Sequence, residues 1–225
     1  IMESFLTKAK SASRILLTLD GNKRNKILRD MAEALRSNTM SIMEQNAIDM
    51  RNAKEANLAS SMLERLLLDE KRIEAMAIAI EEIAALKDPI GRVLDGWITD
   101  SALRIEKVSI PIGVVGIIYE SRPNVTSDTA ALCFKSGNVC VLKGGKEAEE
   151  SNKIIAQILQ GVLERHSLPK EIISLLPDSS REGVLQLIKM DRYVDLIVPR
   201  GGEGLIRFVS ENATVPVIKH DKGLC

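Results

Sequence analysis

From Pro111 to the end of the chain, short and almost wholly apolar runs alternate with longer amphipathic ones. The apolar runs are IGVVGIIY, NVCVLKG, EIISLLP, VDLIVPR and VPVIKH; between them lie TSDTAALCFKSG, EAEESNKIIAQILQGVLERHS, SREGVLQLIKM and GEGLIRFVSENA. A strand with no polar alternation must be buried on both faces. The pattern therefore predicts an α/β fold in which a parallel sheet is covered by helices on both sides. Such sheets take ligands at the carboxyl ends of their strands, which directs attention to ESRPN, KGGKEA, PDSS, PRGGEG and HDKGLC.

The first part of the chain reads differently. Residues 3–87 are rich in Ala, Leu, Met, Lys and Glu with apolar positions at helical spacing. RNKILRDMAEALRSN sets Ile27, Leu28, Met31 and Leu35 on one face, with Asp20 as a cap upstream. KRIEAMAIAIEEIAALKD predicts a second long helix, stopped by Asp88-Pro89. GRVLDGWITD and LRIEKVSIP alternate apolar and polar residues around Thr99-Asp100-Ser101, which predicts a two-stranded antiparallel arm. The 225 residues suffice for one large domain or two small ones.

Composition excludes several classes. Charges balance to zero, so nothing suggests a nucleic-acid or membrane surface. No apolar run approaches the ~20 residues of a membrane span. Three cysteines without a CxxC speak against disulfides and for a reducing cytoplasm. The two histidines, His166 and His220, are far apart and no HExxH occurs, so no metal site is expected.

The strand-end loops each admit a bland reading. Gly144-Gly145 could be a simple turn and Gly201-Gly202 a helix opening; neither forms GxGxxG or a Walker A loop. Cys133 and Cys140 fall inside a helix and a strand, as small core hydrophobes do. Cys225 follows a Gly in a loop after an apolar run. It is either an ordinary thiol or a nucleophile.

VSIPIGVVGIIYESRPNVTSDTAALCFKSGNVCVLKGGKEAEESN, VDLIVPRGGEGLI and ATVPVIKHDKGLC, in that order, resemble the γ-glutamyl phosphate reductase family of the aldehyde dehydrogenase superfamily, over residues 3–225. The resemblance implies a helical N-terminal segment at 1–89 and an oligomerisation hairpin arm at 90–110. It also implies a Rossmann-like parallel-sheet NADPH-binding domain of the aldehyde dehydrogenase type at 111–219. Residues 220–225 would begin a catalytic domain whose remainder lies outside this chain, because the family is about twice as long.

By the same resemblance, Cys225 is the nucleophile and Asn124 donates to the oxyanion. Lys143, Gly144, Gly145, Lys146, Gly201 and Gly202 bind the cofactor, NADPH. Apart from the resemblance, Lys219 and His220 are cations beside Cys225 in sequence and, with Arg122, are candidates to bind substrate or tune the thiolate. The implied reaction is reduction of L-glutamyl 5-phosphate to L-glutamate 5-semialdehyde and phosphate through a cysteine thioester, a step of proline biosynthesis. A homodimer or larger homo-oligomer and functional coupling to glutamate 5-kinase are implied as well. Aldehyde-oxidising relatives carry a glutamate base before the nucleophile loop. VPVIKHDKG has none, which favours the reductive direction. The alternatives are another aldehyde or acyl-CoA-linked dehydrogenase, or a nucleotide-binding module without catalysis.

Overall fold

A computed structural model describes residues 1–120 and 122–219. The expected helical segment is a succession of helices: α1 (Met2–Leu16), α2 (Gly21–Ser37), α3 (Thr39–Glu55), α4 (Ser60–Leu66) and α5 (Glu70–Ala85). Asp20 caps α2 as expected, accepting from the Lys23 amide at 2.8 Å. Ile27, Leu28, Met31 and Leu35 are all completely buried. Burying each such side chain stabilises the fold by roughly 1.5–3 kcal/mol. Leu86 takes up extended backbone and ends α5 two residues before Asp88.

The arm is present: β1 (Val93–Ile98) and β2 (Arg104–Val108) pair antiparallel, with Trp97 opposite Ile105. No position of β1 is buried.

The sheet is parallel throughout. β3 (Val114–Tyr119) has all six positions buried, as its unbroken apolar sequence requires. It leads through α6 (Asn124–Lys135) to β4 (Val139–Lys143), through a 3₁₀ turn at Lys146–Ala148 and α7 (Glu149–Arg165) to β5 (Ile173–Leu175), then through α8 (Arg181–Leu187) to β6 (Leu196–Arg200) and α9 (Glu203–Asn212). The order is β5-β4-β3-β6, so the chain reverses direction across the sheet between β3 and β6. Right-handed crossovers then put α6 and α7 on one face and α8 on the other. This is one half of a Rossmann-like sheet, and its topological switch point is the gap between the ends of β3 and β6.

The described part of VPVIKH, residues 215–219, makes less than the expected strand. Val217 makes one parallel bridge to Ile197, with Ile197 donating to Pro216 O at 2.8 Å and Ile218 donating to Ile197 O at 3.0 Å. The next donor on that edge of β6 would be Pro199, which has no N–H, so the ladder stops there.

Buried and half-buried polar groups hold the helical segment together and lock it onto the sheet domain. Asp49 on α3 accepts from the Glu150 and Ser151 amides at 3.1 and 2.7 Å, so it caps α7 from a distant part of the chain. Asn46, one turn earlier, donates to Leu66 O at 2.8 Å and accepts from the Leu68 amide at 2.9 Å, fixing the end of α4. Lys135 at the end of α6 donates to Asn25 Oδ1 at 2.6 Å and Ala84 O at 2.8 Å, and burial lowers its ammonium pKa. Lys10 on α1 pairs with Asp195 at 2.7 Å, and Asp195 also takes the Val114 amide at 2.8 Å.

Candidate active site

The switch point is flanked by the loop after β3, carrying Glu120, Arg122 and Asn124, and by the end of β6, carrying Arg200, Gly201 and Gly202. Two adjoining clefts open there. One, of about 390 Å³, is bordered by Arg65, Glu120, Arg122, Arg200, Gly201 and Gly202, among others. The other, of about 630 Å³, reaches under α4 and α5 and is bordered by Arg65, Arg72, Arg122, Asn124 and Asp128, among others.

Asn124 is the first residue of α6, so its side chain lies at the helix entrance. Its Nδ2 donates to Asp128 Oδ2 at 3.0 Å, one turn on. Burial raises the Asp128 carboxyl pKa, against the opposing pull of the Asn124 hydrogen bond and the Arg200 charge. Beneath Asn124, the buried Tyr119 hydroxyl meets Thr126 Oγ1 at 2.5 Å, and Thr126 donates to Asn152 Oδ1 at 2.8 Å. Burial pushes the Tyr119 phenol pKa upward, so it remains a neutral structural group. This chain of hydroxyls and amide holds the start of α6 against the ends of β3 and α7.

The glycines have concrete reasons. A Cβ on Gly144 would stand 2.2 Å from Asn152 Nδ2 and 3.1 Å from Tyr119 Cε2. A Cβ on Gly201 would meet the Glu120 carboxylate at 2.7–2.9 Å. Glu120 Oε2 accepts from the Gly202 amide at 3.2 Å, at the entrance to α9. By contrast, a Cβ on Gly202 or Gly204 would meet no described residue within 4 Å, at the N-terminal turn of α9, where backbone amides can receive an anion.

Lys143 ends β4 half-buried, and Lys146, exposed, begins the 3₁₀ turn after it. Burial lowers the Lys143 ammonium pKa; the Glu147 charge opposes this, the Lys146 charge adds to it, and Glu120 opposes it more weakly. The two lysines thus sense one another at one strand end.

The structure brings Arg122 and Asn124 to one cleft, and Arg122, Gly201 and Gly202 to another. Lys219 borders a third cleft, of about 830 Å³ along α9, together with Gly201 and Gly202. Lys143, Gly144, Gly145 and Lys146 form a separate group at the end of β4. Cys225 and His220 lie outside the described residues. Cys133 and Cys140 are buried core thiols. Sequence reasoning overlooked Arg65, Asp128 and Arg200. Arg200 stood in a strand-end loop already marked as important, whereas Arg65 sits on a helix that carries no motif.

A model of the aldehyde dehydrogenase family matches residues 2–220. The chain is 69% identical over 224 residues to the γ-glutamyl phosphate reductase of Sulfurimonas denitrificans, covering 100% of this chain and 55% of that protein. It is 49% identical over 225 residues to the enzyme of the same name from Shewanella denitrificans, covering 100% of this chain and 54% of that protein. It superposes on the crystal structure of γ-glutamyl phosphate reductase from Thermotoga maritima with a TM-score of 0.96 at 40% identity, covering 100% of this chain and 54% of the other. The chain therefore spans about half the length of the curated relatives it matches.

Proposed function

The chain belongs to the aldehyde dehydrogenase family, and from that premise we propose that it is the cofactor-binding half of an NADPH-dependent reductase of L-glutamyl 5-phosphate. The observation that carries the reading is the whole-chain identity to enzymes named for that reaction. The geometry supports it: an amide donor, basic side chains and a helix entrance converge at the switch point of a Rossmann-like sheet.

In this reading the Cys225 thiolate attacks the acyl carbonyl of the substrate. A C–S bond forms, the C–O bond to the phosphoryl group breaks, and phosphate leaves with the electron pair. The Asn124 amide stabilises the oxyanion, its orientation held by Asp128. When bound, the nicotinamide supplies the hydride equivalent that reduces the thioester to the aldehyde and frees the thiolate. The entrance of α9 would receive the cofactor's pyrophosphate, with Glu120 giving up the Gly202 amide to it, and Lys143 and Lys146 the adenosine end. Among the described residues no helix is long and apolar enough to cross a membrane.

The test is Cys225→Ser in the whole enzyme. It is expected to bind NADPH as wild type does and to lose semialdehyde formation by about three orders of magnitude or more. Activity within a few-fold of wild type overturns the assignment.

A further inference from the structure

We propose that Arg65, Arg122 and Arg200 form one anion site at the mouth of the sheet and that it holds the phosphoryl group of the substrate; the choice of substrate rests on the reductase reading above. The three guanidinium groups come from three separate elements. Arg65 is on α4, Arg122 on the loop after β3, and Arg200 is the last residue of β6. All three border the cleft of about 390 Å³. α4 is not free to drift, because buried Asn46 holds the Leu66 carbonyl at 2.8 Å.

What sets them apart is the shared cleft. Arg24, Arg36, Arg104 and Arg207 each hold a carboxylate at 2.6–2.7 Å, whereas Arg14, Arg29, Arg51, Arg165 and Arg192 hold none among the described residues but do not border this cleft. Among the described residues Arg65, Arg122 and Arg200 make no side-chain hydrogen bond or ion pair. Glu120 is the carboxylate that borders this cleft, and Glu64 and Asp128 border the adjoining one. Glu120 Oε2 is on the Gly202 amide at 3.2 Å, and Asp128 is on Asn124 at 3.0 Å while also feeling the Arg200 charge. Three guanidinium groups and one carboxylate, itself engaged by the Gly202 amide, border the cleft and leave it positive in a chain of zero net charge. Converging like charges repel one another unless an anion joins them.

The chemistry favours a phosphoryl group over a carboxylate. Guanidinium forks grip tetrahedral oxyanions through paired hydrogen bonds, and three forks from three directions match a tetrahedral dianion better than a planar monoanion. The position fits as well. In an acyl phosphate the phosphorus is one oxygen away from the carbonyl under attack, so its site must adjoin the oxyanion donor. Arg65 and Arg122 also border the neighbouring cleft that contains Asn124. The α-carboxylate of the substrate lies at the opposite end of its carbon chain. The adenosine phosphate of the cofactor is served by Lys143 and Lys146, which border neither cleft.

The test runs the whole enzyme in reverse, oxidising the semialdehyde with inorganic phosphate as the varied substrate. Arg65→Gln, Arg122→Gln and Arg200→Gln are each expected to raise KM for phosphate by about ten- to a hundredfold, the loss of one charge-assisted contact. KM for the semialdehyde and Kd for NADPH should stay within about threefold of wild type. All three arginines are exposed, so the variants should melt with wild type. Unchanged phosphate KM in all three overturns the site, and so does a rise in semialdehyde KM alone, which would make it a carboxylate site. If wild type shows no phosphate-dependent oxidation, the reductase reading has failed. The anion site is then decided by titrating inorganic phosphate against wild type and Arg122→Gln with ³¹P NMR, where equal binding overturns it and weakened binding supports it.

Discussion

Asn124 and Asp128 are joined across one turn of α6 by a 3.0 Å hydrogen bond from the amide Nδ2 to a carboxylate that burial has made harder to ionise. One amide N–H is thereby committed and the direction of the other is set. A donor aimed before the reaction begins costs no reorganisation when negative charge develops. In the whole enzyme, Asn124→Ala should lower kcat by about two to three orders of magnitude with Kd for NADPH unchanged. Asp128→Ala should lower kcat less, and Asp128→Asn, which keeps an acceptor oxygen, should recover most of it. A kcat for Asn124→Ala within threefold of wild type removes Asn124 from the chemistry.

The same carboxyl makes a stability prediction. A carboxyl whose pKa is higher in the folded than in the unfolded state contributes most below its unfolded value, about 4, and loses that contribution as pH rises through the folded value. Asp128 is raised, with burial as the largest cause. Asp128→Asn cannot titrate, so its thermal midpoint should gain on wild type between pH 4 and pH 7. Parallel midpoint curves across that range would mean that burial does not dominate at this position.

The arm exposes Val93, Leu94, Trp97 and Ile98 on β1, with Trp97 at 49% and Ile98 at 72% exposure. A two-stranded hairpin with no core of its own is marginal in water, and its free edges invite pairing. We expect this arm to pack against another copy of the chain in a dimer or larger assembly. Trp97→Asp with Ile98→Asp should shift the whole enzyme toward monomer in sedimentation velocity while leaving the core fold, read by far-UV circular dichroism, intact. A wild-type enzyme that sediments as a monomer at high concentration contradicts the expectation.

The sheet was legible because parallel strands buried on both faces cannot alternate polar and apolar residues, and IGVVGIIY does not. α2 was legible because its cap and its apolar face recur at fixed spacing. The last strand was not, since VPVIKH has the right composition and the limit lies in its neighbour: Pro199 lacks the donor that would extend the ladder. Asn124, Lys143 and the glycine pairs could be marked from strand-end loops. Their partners could not. Asn152 and Asp128 act through contacts that depend on how helices dock, and Arg65 reaches the mouth from a helix 57 residues before Arg122 in the chain. Local pattern does not encode that approach.

We expect cofactor choice to turn on Lys146. It stands exposed at the start of the 3₁₀ turn that follows β4, close enough to half-buried Lys143 to depress that ammonium's pKa further. Two ammonium groups at one strand end repel each other, and a phosphate between them relieves the repulsion. Glu147 works the other way: its carboxylate lies 2.3 Å from where a Gly145 Cβ would stand, and its charge favours the protonated form of Lys143. The balance is therefore set by whether position 146 adds a positive or a negative charge. Lys146→Glu would put a second carboxylate beside Glu147 and repel the 2′-phosphate of NADPH, while the ribose hydroxyls of NADH would gain an acceptor. In the whole enzyme, fluorescence titration should find Kd for NADPH raised by about tenfold or more and Kd for NADH unchanged or lowered. Lys143→Ala should weaken both cofactors, because it removes the charge nearer the sheet. Equal weakening of the two by Lys146→Glu would show that this lysine is a solvated helix-entrance residue that does not read the 2′-phosphate.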